Sequence, residues 1–188
     1  VAKLPSDSLA INYQDYSDQL DAAQSTDQLY QAIVNTPFVK PFETAYLFLG
    51  IVVFLKVNRI EGTIDRIALS RTELAKNTTD VSVVPFESIK IPIDDQENII
   101  AIAIRTNQIR DTTDWKFLFS PTLTPEAARI NQASGGIAYS AVCPLDAGDG
   151  AALIFSYYQY QGDIGQAQHE FMKTYRDLVN NKLDHLGS

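Results

Sequence analysis

Hydrophobic spacing divides the chain into alternating helical and extended stretches. Residues 8–23 carry Tyr13, Tyr16, Leu20 and Ala23 at steps of three and four, an amphipathic helix. Ser25 followed three residues later by Gln28 has capping-box spacing and opens a second helix, with Leu29, Tyr30, Ile33 and Val34 on its apolar side and Pro37 as its stop. Thr44–Val57 reads as one long buried strand, with Gly50 as a bulge or a place of close backbone approach. A turn over residues 58–62 leads into a second strand, Thr63–Ser70, in which Ile64, Arg66 and Ala68 alternate with Asp65, Ile67 and Leu69. The short link between the two predicts an antiparallel pair.

The middle of the chain is less regular. Residues 71–80 are polar and read as a short helix or loop, and Val81–Ile93 reads as extended because Pro85 and Pro92 forbid a long helix. Ile99, Ile100, Ala103 and Ile104 have helical spacing, Asp94 and Asp95 precede them where negative charge suits a helix start, and Asn107 suits a left-handed stop. Ile109–Phe119 reads as extended and loop-like. Thr124 and Pro125 form a cap and first turn for a helix that Gly135-Gly136 ends. The last third is clearest. Ile137–Leu145 and Ala151–Tyr160 are apolar runs joined by the five residues 146–150, a hairpin. A closing helix from about Ile164 to Leu183 carries an apolar stripe through Phe171, Met172, Tyr175, Leu178 and Val179.

Composition changes this picture little. The 188 residues, 45% hydrophobic and 20% charged, suit one globular domain. Net charge is −8 with no basic stripe, which argues against nucleic acid and anionic membranes. The apolar run 45–55 is far shorter than the ~20 residues of a spanning helix, so no membrane insertion is expected. A single cysteine, Cys143, excludes an internal disulfide framework. With no signal peptide in residues 1–10, it points to a cytoplasmic protein.

The search for chemistry eliminates more than it finds. His169 and His185 are sixteen residues apart on one predicted helix and cannot share an ion, and one cysteine makes no zinc motif; no metal or cofactor is expected. No Gly-x-Ser-x-Gly elbow or phosphate-cradling loop is present. Cys143, mid-strand beside Pro144, reads as core packing, and Asp146 and Asp149 as solvated turn residues lacking the other donors of a calcium loop. Asp111 and Asp114, ahead of Trp115, form an acid–aromatic cluster. Nothing in the sequence sets their separation, so hydrogen bonding to the loop backbone or to a ligand is the more natural role than catalysis.

Three stretches carry a resemblance: Ile99 to Gln108 followed by Asp114, Ser140-Ala141-Val142-Cys143-Pro144-Leu145, and Asp149-Gly150-Ala151-Ala152-Leu153-Ile154-Phe155. In this order of elements they resemble a GAF domain over about residues 25–185, an architecture related to PAS and profilin-like folds. The resemblance implies an α+β fold, a central antiparallel β-sheet with the N- and C-terminal helices packed on one face and a ligand pocket on the other. Residues 1–24 would be a helical extension and 25–186 the domain itself. It further implies a non-catalytic sensor that binds an unidentified small molecule, forms a homodimer through its terminal helices, or does both, as a part or partner of a larger signalling protein with an attached output domain. Cyclic-nucleotide-binding members carry an Asn-Lys-x-Phe-Asp-Glu pattern that is absent here, bilin-binding members use a cysteine commonly followed by histidine, and free methionine sulfoxide reductases rely on several cysteines. The pocket would be walled by residues 109–132, with Arg66, Arg105, Asp114, Trp115, Phe119, Arg129, Gln132 and Tyr139 as lining candidates. The alternative is a structural dimerisation module with a filled core.

Overall fold

The structure, a computed structural model, describes residues 11–146, 150–159 and 165–186. Two short helices open it, α1 (Tyr13–Asp21) and α2 (Thr26–Asn35). Asn12 caps the first, its side chain accepting from the backbone of Gln14 and Asp15. Ser25 caps the second by accepting from Gln28 N at 3.2 Å. Gln28 reaches back to Gln24 N, one residue earlier than a capping box requires.

The strand expected from Thr44 starts later. Pro41 opens a single helical turn, α3 (Pro41–Thr44), a 3₁₀ turn covers Ala45–Leu47, and Phe48 takes φ 56° before β1 (Leu49–Asn58) begins. Proline fixes a helical φ, and the Thr44 hydroxyl donates to Pro37 O at 3.1 Å, so local bonding outcompetes the strand propensity of this apolar run. From there β2 (Thr63–Leu69), α4 (Glu73–Val81), β3 (Lys90–Pro92) and α5 (Ile99–Thr106) follow. Asn98 caps α5, and Asn107 ends it at φ 50°. The stretch read as loop-like contains β4 (Arg110–Thr112) and α6 (Lys116–Phe119). Then come α7 (Pro125–Ser134), capped by Thr124 and stopped at Gly136 with φ 62°, and the hairpin β5 (Tyr139–Leu145) and β6 (Ala151–Tyr157). The final helix is α8 (Gln166–Leu186); its expected start at Ile164, and Asp149 of the hairpin loop, lie outside the described residues.

The strands form one antiparallel sheet in the order β3-β2-β1-β6-β5-β4. Both faces are covered, which is why β5 and β6 are buried along their whole length and read as continuous apolar runs. On one face, Val52, Phe54, Cys143, Leu153 and Phe155 pack under α1, α2 and α8, which contribute Tyr16, Leu20, Ile33, Phe171, Tyr175 and Val179. Phe155 meets the rings of Phe171 and Tyr175 edge-on, at 5.8 and 6.4 Å between centroids. Burial pushes the Cys143 thiol up to about 11, so at neutral pH it stays protonated and packs as an apolar group. On the other face, Ile51, Val53, Leu55, Ile64 and Ile154 pack under helices from the middle of the chain.

Two irregularities decide which side chains reach this second face. Pairing of β1 with β6 shifts between Leu49 and Ile51, leaving Gly50 as an extra residue, so Leu49 and Ile51 fall on opposite faces. A Cβ on Gly50 would lie 2.6 Å from Leu74 Cδ1, so both expectations for this glycine are met. Pairing of β1 with β2 shifts between Phe54 and Leu55, whose partners are Ala68 and Arg66, and Ile67 is the extra residue. Below that bulge Ile64 joins the second face; above it Ala68 joins the first. Simple alternation would have kept Ile64, Arg66 and Ala68 together.

Candidate functional site

The second face holds a cavity. Its floor is the sheet: Ile51 and Val53 of β1, Arg66 and Leu69 of β2, Ile154 and Ser156 of β6. Its roof comes from Thr78 of α4, Ser82 and Phe86 after it, Trp115 just before α6, Phe119 of α6 and Asn131 of α7. The free space inside is about 40 Å³. That is room for a few water molecules, well below the ~300 Å³ at which small-molecule pockets begin.

The roof is tied down by side chains that satisfy backbone groups. Gln132 accepts from Trp115 N at 2.9 Å and donates to Thr113 O at 2.9 Å and Ile137 O at 3.1 Å, clamping the start of α6 against α7. The Trp115 indole N–H donates to Ser140 Oγ at 2.9 Å, and Ser140 bonds its cross-strand partner Ser156 at 2.7 Å. Fully buried Asn98 caps α5 through Ile100 N at 2.9 Å and donates to Ser120 O at 2.7 Å, holding the far end of α6. Asn131 donates to Ser82 Oγ at 3.1 Å, joining α7 to the segment after α4.

Arg66 is the one charged side chain of the cavity wall and is 5% exposed. It donates to Ile89 O and Leu118 O, each at 3.3 Å, and its guanidinium lies 4.7 Å from the centre of the Phe119 ring. No carboxylate among the described residues pairs with it. Loss of water around the buried guanidinium lowers it from its ordinary range to about 9, which still leaves it charged at neutral pH.

Of the eight candidates from the sequence, Arg66, Trp115 and Phe119 line the cavity, and Gln132 supports it through the Trp115 backbone. Asp114 and Arg129 form a forked ion pair with a shortest N···O distance of 2.8 Å outside the lining, and Asp114 also accepts from Lys116 N, the first residue of α6, at 3.0 Å. Arg105 lies elsewhere: it is exposed and donates to Ile93 O and Asp95 O, both at 2.7 Å. Tyr139 points to the opposite face, where it packs near Tyr157 under the terminal helices. Neighbours on a strand face opposite ways, and Ser140 takes the cavity side. Ser140, Ser156 and Asn131 are absent from the sequence-based set. The available signal was polarity: two serines interrupt otherwise apolar strands, and each is buried.

The Asp114–Arg129 pair makes a pH prediction. The Arg129 hydrogen bonds hold the Asp114 carboxyl below its ordinary value of 3.8. A carboxylate depressed by folding stabilises the fold above its unfolded value, and that stabilisation is lost as pH falls through the folded value. An NMR titration should place the Asp114 midpoint below 3.8, and Arg129→Ala should return it upward. An unchanged midpoint would mean that Arg129 does not hold the Asp114 carboxyl down.

Asp111, the other acid of the pair considered for catalysis, lies on β4 opposite Ala141. Among the described residues no group of three metal-liganding side chains is assembled, and no helix is long and apolar enough to cross a membrane.

No family model matches the sequence, and no curated protein is significantly similar to it. Solved structures are similar in shape. The GAF domain of an Acinetobacter phosphoenolpyruvate-protein phosphotransferase superposes with a TM-score of 0.60 at 9% identity, over 92% of this chain and 90% of its own. The phycoerythrobilin-bound GAF domain of a cyanobacterial phytochrome gives 0.56 at 13% identity, over 93% and 95%. The GAF domain of a two-component sensor histidine kinase from Bacillus halodurans gives 0.54 at 12%, over 95% and 97%. With an antiparallel six-stranded sheet, terminal helices on one face and a walled cavity on the other, the chain has the fold of a GAF domain.

Proposed function

We propose that this domain is a non-catalytic sensor that binds a small molecule in the cavity over its sheet and passes the binding event to an attached output domain. The observation that carries the reading is the cavity itself, apolar on most sides, with a buried charged group and hydroxyls converging on it. The sensor histidine kinase and the bilin-bound phytochrome among the similar structures support it by analogy of fold. Cys143 lies on the opposite face, away from the cavity, so attachment of a chromophore through it is not part of the proposal. Cytoplasmic location and homodimerisation through the terminal helices belong to the same reading. The outward face of α8 carries His169, Lys173, Asp177 and Asp184, so pairing there would be polar and weakened by salt.

One observation favours the alternative of a structural module with a filled core: the free space of about 40 Å³. The readings separate in a thermal-shift screen of small metabolites. A ligand at 100 times its Kd stabilises by ~2.7 kcal/mol, which for a domain of this size raises Tm by about 5–11 °C. The sensor reading expects at least one such compound; silence across a broad library favours the filled core.

A further inference from the structure

Arg66 sits where a charge is hardest to justify. Five guanidinium N–H groups are available, and two are used, each at 3.3 Å to a backbone carbonyl. Carbonyl dipoles and the Phe119 ring face soften the burial, but neither supplies a negative charge. A buried cation without a counterion is costly, and proteins ordinarily pair it or replace it by an apolar residue. Asp114, the acid of the neighbouring loop, is taken by Arg129. Arg66 shares this face with Ile64, two residues earlier on β2, and the acceptors it meets among the described residues are these two carbonyls.

Resting on the sensor reading above, we propose that the ligand is a small monocarboxylate with a short apolar tail, its carboxylate held by Arg66. One cationic side chain in the cavity wall balances one negative charge, so a dianion would leave an uncompensated charge inside. A planar carboxylate accepts two parallel guanidinium N–H bonds, stronger and shorter than the carbonyl contacts they would replace. Ile51, Val53, Leu118 and Ile154 offer the tail an apolar wall. The free space of about 40 Å³ is too small for the tail, so the proposal requires the Phe119 ring, which covers Arg66 from the last residue of a four-residue helix, to move aside.

The test uses sodium butyrate and its neutral isostere butyramide at constant ionic strength, with melting temperature and the emission of Trp115, the sole tryptophan, as readouts. Saturating butyrate should raise Tm by roughly 5–10 °C with a saturable change in emission, and butyramide should do neither. Arg66→Met should weaken butyrate binding by more than tenfold, while Arg66→Lys, which keeps the charge and loses the fork, should retain part of it. If butyramide acts as well as butyrate, the carboxylate assignment fails and the sensor reading stands. An equal butyrate response in the wild type and Arg66→Met would also remove Arg66 as the anchor, and an undiminished response in Arg66→Lys would overturn the forked bond. No response to any unbranched monocarboxylate of two to eight carbons overturns the proposal, and a hit among uncharged metabolites would then show the sensor reading surviving without it.

Discussion

Deleting residues 165–188 should leave a chain that does not fold. The helix α8 places Phe171, Met172, Tyr175 and Val179 fully inside the core of the helical face. Burying each such side chain stabilises by roughly 1.5–3 kcal/mol, or about 6–12 kcal/mol for the four, an upper figure because unfolded chains already bury some surface. A domain's total stability is about 5–15 kcal/mol, so the loss takes most or all of it. Removal would also strip the Phe171 and Tyr175 rings from Phe155, and break the Tyr175 hydroxyl bond to Ile33 O at 2.5 Å. Circular dichroism and a thermal melt should show no cooperative transition. A soluble, cooperatively melting monomer would contradict the helical cover.

On the cavity face, Trp115→Ala should be the most damaging single change. The indole is 4% exposed, packs against Phe119 with ring centres 5.2 Å apart and donates to the Ser140–Ser156 pair. Large-to-small changes of this kind cost about 3–5 kcal/mol, equivalent here to a drop of roughly 6–20 °C in Tm. The loss has a second part, because Ser140 would face a void without its donor. Added indole should restore some of the lost stability by occupying the vacated space, as apolar ligands fill engineered cavities. A variant melting within a degree or two of the wild type would mean that Trp115 does not hold the roof.

The sequence makes some of this architecture legible through local rules alone. Thr124-Pro125 with Gly136 bounds α7, Asn107 stops α5, and the stripe through Phe171, Tyr175 and Val179 marks the face that α8 buries. These signals act within a turn or two of chain. The hairpin register, Leu145 opposite Ala151, follows from the five-residue spacing in the same way.

What escaped the sequence depends on partners far along the chain. The bulge at Ile67 is defined by pairing with Phe54 and Leu55, and it sends Ala68 to the face opposite Ile64 and Arg66. The three-residue strand β4 exists because β5 offers it an edge at Ser140–Val142. Tyr139 and Ser140 are adjacent, and alternation says only that they face opposite ways; which one meets the cavity is decided by the packing of α6 and α8 on either side of the sheet. Polar residues inside apolar strands were the better guide to the site than charged residues in the irregular segment. Asp114, Arg129 and Arg105 are spent on local structure.

In the proposed function the cavity under Trp115 is the sensing site. The chain has one tryptophan, so its emission reports that site without labelling. The decisive measurement is a fluorescence titration with any compound that raises the melting temperature. A saturable change in Trp115 emission with the same Kd as the thermal effect is expected. A stabilising ligand that leaves the emission of Trp115 unmoved would place the sensing elsewhere and contradict that assignment.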